Sequence, residues 1–148
     1  MVRLVLLLTA TTLSSSCSFS ARPIYIETEK KTVEGAIEQL HNRMNAEQYE
    51  AIYDDMHEDF KATSDKQTLL ASIKSTRDRM GKIGSVKEHW LNYVMGDPVP
   101  VRAIYNLKCE KGDFTEWFSY LVRSDGKPML VQYQNFPGSS PAPATNSK

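Results

Sequence analysis

The hydrophobic pattern of this chain changes its period near Gly81, and that change limits the folds that the chain can adopt. Before it, apolar residues recur at helical spacing, as in Val33, Ile37, Leu40 and Met44. After it, apolar and polar residues alternate. Because successive side chains of a strand point to opposite faces, alternation indicates strands with one buried face. Helices followed by strands are typical of an α+β domain.

Three helices are expected before the change of period. Thr32 has the side chain of an N-cap and is expected to start the first helix. A second helix is expected from about Ala46 to His57, with its apolar residues on one side. Ser64 is followed three residues later by Gln67, which is the pattern of a capping box. The third helix is therefore expected to begin there and to end at Gly81.

Four antiparallel strands, joined by short turns, are expected after Gly81. They cover about Val86 to Val94, Val99 to Cys109, Phe114 to Val122 and Met129 to Asn135. The turn before the last strand contains Asp125-Gly126, a pair that accepts positive φ. In the third strand, alternation places Glu116 on the same face as Phe118 and Tyr120.

The first sixteen residues have the organisation of a secretory signal peptide. Arg3 supplies a positive charge, an apolar stretch follows from Leu4 to Leu13, and small residues precede Cys17. The apolar stretch is about half of the ~20 residues that span a bilayer. Residues 1–16 are therefore expected to be removed, and the rest of the chain is expected to be exported.

Two cleavage sites compete in this leader. A cut before Cys17 resembles the lipobox of bacterial lipoproteins, whose cysteine is modified with diacylglycerol, although Ser14 stands where that family has a large aliphatic residue. A cut after Ser20 would leave Ala21 as the new N-terminus. The first site is favoured because a cysteine directly after a run of small residues is unusual by chance. Residues 17–31 would then tether the protein to a lipid anchor at Cys17.

Composition sets limits on the mature chain. Its length of about 130 residues suits one domain, which we place at residues 32–136, before a disordered tail at residues 137–148. The full sequence has 18 basic and 18 acidic residues, and removal of Arg3 with the leader leaves 17 basic and 18 acidic residues. This near-neutral balance argues against a nucleic-acid binder. Of the two cysteines, Cys109 is left alone, so no disulfide framework is expected. Cys109 is expected to be a small residue within a strand rather than a nucleophile.

The order of elements resembles the NTF2-like superfamily, in particular its small exported bacterial domains of unknown function. The resembling residues are His57 to Lys61, Arg77 to Lys82 and Glu116 to Phe118. The resemblance covers about residues 32–136. It implies a cone in which about three N-terminal helices pack on a curved, four-stranded antiparallel sheet. It also implies a homodimer formed through the sheets.

Some members of that superfamily are isomerases or dehydratases, which use a carboxylate base and a phenol that stabilises an oxyanion. The candidate residues for such chemistry here are Glu116 and Tyr120, because alternation places both on one strand face. The other acids considered, Asp54, Asp55, Glu58 and Asp59, are expected on the solvated side of a helix.

No metal site and no cofactor are expected. His41, His57 and His89 lack the short spacings that mark a zinc site, and we interpret those within the predicted helices as exposed residues. No phosphate-binding loop or dinucleotide fingerprint occurs.

These patterns favour a lipoprotein of the bacterial cell envelope that faces the periplasm, with its lipid anchor as the only membrane contact. A soluble periplasmic or secreted protein is the alternative. The favoured function is a non-catalytic binding or interaction module whose partner is a protein or a small apolar ligand. Two other functions stay open: an isomerase-like or hydrolase-like enzyme using Glu116 with a tyrosine, and a structural accessory or immunity-type protein.

Overall fold

The structure, a computed structural model, describes residues 26–93 and 98–139. The predicted signal peptide, the predicted lipidation of Cys17 and residues 140–148 of the predicted tail lie outside these ranges. Within them, no helix combines the length and the apolar composition that crossing a bilayer requires.

The predicted α+β fold class is confirmed, with helices first and an antiparallel sheet second. The described helices are α1 (Ile26–Asn45), α2 (Tyr49–Asp54), α3 (Glu58–Lys61) and α4 (Lys66–Met80). The described strands are β1 (Ile83–Tyr93), β2 (Val99–Cys109), β3 (Gly112–Val122) and β4 (Pro128–Pro137). The helix number is a correction, since four helices are described and three were expected.

The helix expected from Ala46 to His57 is present but shorter, as α2 (Tyr49–Asp54), and α3 is the extra helix that follows it. The chain leaves the helical conformation before that range ends and joins the sheet edge. Met56 forms an isolated parallel bridge with Leu130, and the His57 amide donates to the Leu130 carbonyl at 2.9 Å. His57 then caps α3, because its Nδ1 accepts a hydrogen bond from the Asp59 amide at 3.1 Å. This contact covers part of the β4 edge.

The start of α1 is also a correction. The helix begins at Ile26 rather than at Thr32, so residues 26–31, which were expected in the tether, are helical. Inside the helix, the Thr32 hydroxyl donates to the Thr28 carbonyl at 2.9 Å. A threonine hydroxyl satisfied within its own helix leaves no cap at this position.

The predicted third helix is confirmed as α4, with its cap one residue later than expected. The carboxylate of Asp65, not the hydroxyl of Ser64, accepts a hydrogen bond from the Thr68 amide at 3.0 Å. The helix ends at Gly81 as predicted, with φ of 72°. Glycine adopts that conformation without the steric cost that a Cβ would bring.

The strands lie in chain order, β1-β2-β3-β4, and every neighbouring pair is antiparallel. The alternation predicted for β3 is confirmed, since its buried side chains include Phe114, Glu116, Phe118, Tyr120 and Val122. In β4, Leu130 pairs with Tyr120 while Gln132 pairs with Ser119, so Val131 is an extra residue. Such a β-bulge reverses the faces of the side chains beyond it.

The core lies between the helices and one face of the sheet. It joins the predicted α1 stripe to the inward residues of β2 and β3. The opposite sheet face carries Trp117 and Phe136, which are 46% and 44% exposed, and their ring centroids are 5.7 Å apart. The two faces of β3 therefore have different surroundings, and the functional candidates lie on the inner one.

Candidate functional site

Glu116 is a fully buried acid at the centre of the inner face of β3, with 0% of its surface exposed. Alternation along β3 sends every second residue into the core, and Glu116 occupies one of those positions between Phe114 and Phe118. Burying a carboxylate without hydrogen-bond partners is strongly unfavourable. Its neighbours must therefore supply donors.

Two side chains from other elements contact the two oxygens of Glu116. Nε2 of His41, on α1, lies 2.6 Å from Oε2. The hydroxyl of Tyr133, on β4, donates to Oε1 at 2.5 Å. We call these three residues the Glu116 cluster. Hydrogen bonds to an ionised group are stronger than neutral ones, so the cluster ties α1, β3 and β4 together within the core.

Aromatic rings enclose the Glu116 cluster. Phe118 stacks on Tyr133 with ring centroids 5.2 Å apart, and Tyr105 meets His41 edge-on at 6.0 Å. Tyr105 also stacks on His89 at 5.1 Å. Such packing keeps water away, which strengthens the hydrogen bonds of the cluster and makes the loss of any partner costly.

The Tyr133 phenol is held in its protonated form. Burial raises its pKa well above the ordinary value of 10.0, and the negative charge of Glu116 raises that pKa further. The phenol therefore remains a donor at neutral pH. Each oxygen of Glu116 accepts a hydrogen bond and neither is exposed, so a substrate proton has no open route to this carboxylate in the present arrangement.

The structure gives Glu116 a different phenol from the predicted one. Tyr120 shares its strand face, as predicted, but Tyr133 makes the hydrogen bond. Sequence reasoning missed Tyr133 because counting by twos from the buried Leu130 places it on the outer face. The extra residue Val131 turns it inward.

His41 is the other residue that sequence reasoning missed. It was expected to be an exposed helix residue, and it is 7% exposed. The signal was available, because His41 lies four residues after Ile37 and three before Met44, both in the buried stripe of α1. His89 lies in β1, where a strand was predicted, and His57 caps α3.

A pocket of about 220 Å³ opens beside Tyr120, between α1, α2 and the start of β4. We call it the α1–β4 pocket. Its lining residues are Ala36, Gln39, Leu40, Arg43, Ile52, Asp55, Tyr120, Lys127, Pro128 and Leu130. Glu116 is not among them, so the pocket and the Glu116 cluster are separate regions of one strand face.

Tyr120 is the deepest polar side chain in the lining of the α1–β4 pocket. It is 3% exposed, and no hydrogen bond joins its hydroxyl to another described residue. Burial raises its pKa, and the negative charges of Glu116 and Asp55 add to that shift. The phenol is therefore neutral at physiological pH and is available as both donor and acceptor.

The rim of the α1–β4 pocket is charged. Arg43 donates to the Ala51 carbonyl at 3.0 Å and pairs with the carboxylate of Asp55. Lys127 is exposed in the turn before β4, where its amide donates to Asp125 at 3.0 Å. Within the described ranges, no carboxylate forms an ion pair with the Lys127 ammonium. The rim therefore has one cation that is not neutralised.

The other acids and the cysteine considered from the sequence have defined surroundings. The acids expected on a solvated face are exposed, namely Asp54, Asp55, Glu58 and Asp59. Cys109 lies within β2, as predicted, and is 7% exposed. Burial raises the pKa of its thiol to about 11, and the charge of Glu116 adds to the shift, so the thiol is protonated at neutral pH. Among the described residues, no three His, Cys, Asp or Glu side chains are grouped to hold a metal.

Comparison of the chain with protein-family models, with curated proteins and with solved structures finds no match. Function must therefore be inferred from the two regions on the inner face of β3, one closed around Glu116 and one open beside Tyr120.

Proposed function

We propose that this chain is a non-catalytic binding module that holds a small ligand in the α1–β4 pocket. The observation that carries the proposal is the deep Tyr120 phenol, which lines an open pocket without a hydrogen-bond partner among the described residues. Apolar walls from Leu40, Ile52 and Leu130 surround it. A mostly apolar concavity with a few polar groups is the usual form of a small-molecule site.

The burial and the hydrogen bonds of Glu116 support a binding function rather than a catalytic one. A general base must reach the proton that it removes. Glu116 is instead enclosed, with His41 on one oxygen and Tyr133 on the other. The same interactions serve a structural purpose, because they satisfy a buried charge and join three elements.

The cellular setting is part of the proposal. The protein is exported and anchored in the bacterial cell envelope through lipid on Cys17, facing the periplasm. The leader from Arg3 to Ser16 supports this placement. The NTF2-like fold is proposed on the order of elements, helices followed by four antiparallel strands in sequence, with the core on one sheet face.

Ligand retention tests the binding function. The mature protein is purified from its native host without denaturant, and native mass spectrometry records any bound small molecule. Ala36→Leu adds bulk to the wall of the α1–β4 pocket and should abolish the bound mass. Ala71→Leu makes the same change on an exposed position of α4 and should retain it. A wild type with no bound mass, or equal retention in both variants, would contradict the proposal.

Mass spectrometry of the mature N-terminus tests the anchor. A diacylglycerol-modified Cys17 that disappears in Cys17→Ala is the expected result. A free N-terminus at Ala21 would instead establish cleavage after Ser20 and a protein without this anchor.

The alternative function is an isomerase-like or hydrolase-like enzyme that uses Glu116. The pairing of a buried carboxylate with an imidazole and a phenol favours it, because those groups also occur in acid–base sites. Ester hydrolysis and ketone isomerisation would be assayed in wild type and Glu116→Gln. A turnover that Glu116→Gln abolishes, in a variant that remains folded, would replace the binding proposal with this one.

A further inference from the structure

We infer that the ligand of the α1–β4 pocket is a small amphiphile with one negatively charged group, which lies at Lys127 while its apolar body reaches Tyr120. This inference rests on the proposed binding function and adds to it the chemical class of the ligand. The charges of the rim, the chemistry of the walls and the volume of the pocket each contribute to it.

The rim selects the sign of the head group. Its charged residues are Arg43, Asp55 and Lys127. Arg43 and Asp55 neutralise one another through their ion pair. Lys127 is the remaining charged residue of the lining, is exposed and forms no ion pair with a described carboxylate, so the lining has an excess of one positive charge. An anionic group placed there gains an ion pair without breaking an existing one, whereas a cationic group is repelled.

The walls select an apolar body. Leu40, Ile52 and Leu130 are buried core residues that also line the pocket, and Pro128 adds a further apolar surface. Covering these surfaces with a hydrocarbon group is favourable in proportion to the area removed from water. A fully polar anion, such as inorganic phosphate, would leave that gain unused.

The deep phenol adds a directional contact. Tyr120 is nine-tenths or more buried and has no hydrogen-bond partner among the described residues, although it lines the pocket. Among the described residues, Arg77 Nε is the buried side-chain polar atom without a hydrogen-bond partner, so the Tyr120 hydroxyl is not sealed from the open space beside it. A water bound to this hydroxyl can remain beneath the apolar body of the ligand. The lining thus combines one phenol with apolar walls and one cation that has no ion pair with a described carboxylate.

The volume sets the size. A pocket of about 220 Å³ has room for about seven water molecules at ~30 Å³ each. This is below the ~300 Å³ at which pockets for drug-sized ligands begin. A short-chain or single-ring carboxylate fits, whereas a complete phospholipid does not.

Three probes of similar length and different charge test the inference. Octanoate, 1-octanol and octylamine are titrated separately into the mature protein at low ionic strength, with affinity measured by calorimetry and protein NMR. Octanoate should bind most tightly, with 1-octanol weaker on the order of 5-fold, as expected for one exposed ion pair. Octylamine should bind more weakly than 1-octanol.

Matched variants locate the head group and the body. Lys127→Gln should weaken octanoate on the order of 5-fold and leave 1-octanol unchanged. Lys108→Gln alters an exposed lysine of β2, outside the pocket lining, and should change neither affinity. Tyr120→Phe should change the affinities of octanoate and 1-octanol by the same factor and leave their ratio unchanged, because both probes place the same apolar tail at Tyr120.

The outcomes separate this inference from the proposed function. Equal binding of octanoate and octylamine, or an unchanged octanoate affinity in Lys127→Gln, would overturn the anionic class while the pocket remained a binding site. Binding of all three probes that survives Ala36→Leu would overturn the pocket itself, and with it both proposals.

Discussion

The Glu116 cluster and the α1–β4 pocket stand on the same strand face, with Phe118 between Glu116 and Tyr120. Glu116 is the more conspicuous residue in the sequence, yet both of its oxygens have protein partners. Tyr120 is also buried, at 3% exposed against 0% for Glu116, and its hydroxyl has no protein partner among the described residues. The comparison shows that burial of a polar side chain does not by itself mark a binding site. The unsatisfied hydrogen-bonding capacity is the more informative property.

Removing the Glu116 carboxylate should have the largest effect. Glu116→Ala leaves the His41 imidazole and the Tyr133 hydroxyl without their shared partner, and each buried polar group left unsatisfied costs about 1–3 kcal/mol. Urea denaturation should show that loss in the free energy of unfolding. Glu88→Ala, on an exposed position of β1, should change it by less than about 0.5 kcal/mol.

If Glu116→Ala does not fold, Glu116→Gln provides the same comparison. Its amide keeps one acceptor and adds a donor, so a smaller loss of about 1–3 kcal/mol is expected. A stability equal to that of wild type would show that the cluster does not stabilise the fold.

Alkaline pH should destabilise the protein through its buried phenols. The pKa values of Tyr105, Tyr120 and Tyr133 are raised above 10.0, chiefly by burial. The unfolded chain therefore loses these protons first. Stability should be intact below pH 10 and should fall as pH rises, by up to about 1.4 kcal/mol per pH unit for each phenol.

Urea denaturation at several pH values between 8 and 11 measures this slope. Tyr133→Phe should make the fall of the unfolding free energy with pH less steep, by the contribution of one phenol. An identical slope in the variant would mean that Tyr133 ionises in the folded protein as easily as in the unfolded one.

Tyr133→Phe at neutral pH should have an intermediate effect. The variant removes a hydrogen bond to a charged group, and such bonds contribute about 1.5–3 kcal/mol. Thermal or urea unfolding would measure the loss. Affinity for octanoate should not change, because Tyr133 does not line the α1–β4 pocket.

Tyr120→Phe also removes a phenol oxygen, from a residue four positions after Glu116 on the same face of β3. It should have the smallest effect on the free energy of unfolding, within about 0.5 kcal/mol. Its phenol has no described partner to lose, so the change should appear in ligand affinity instead. A stability loss as large as that of Tyr133→Phe would erase the distinction between the two regions.

Local patterns predicted the parts of the fold that depend on local chemistry. Gly81 predicted the end of α4, because glycine accepts the positive φ found there. The period of two in the sequence predicted which residues of β3 share the inner face. The burial of Glu116 followed from the same alternation. The start of α1 was wrong because Thr32 has a cap-forming side chain that bonds within the helix instead.

The contacts of the site depend on pairing between distant segments, which no local pattern contains. The break before α3 coincides with the bridge between Met56 and Leu130, two residues that are 74 positions apart in the sequence. The partner of Glu116 on α1 is His41, 75 positions away. The lipid on Cys17 and the homodimer through the sheets stay predictions.

The extra residue Val131 lets β4 place Leu130 and Tyr133 on the same face although they are three positions apart. Deleting Val131 would leave a regular ladder in which Gln132 still pairs with Ser119 and Tyr133 with Phe118, so Tyr133 would stay in the core. Moving the bulge beyond Tyr133 would instead turn that tyrosine outward and the glutamines on either side of it inward. The position of the bulge, rather than the length of β4, therefore decides whether Glu116 keeps its phenol partner.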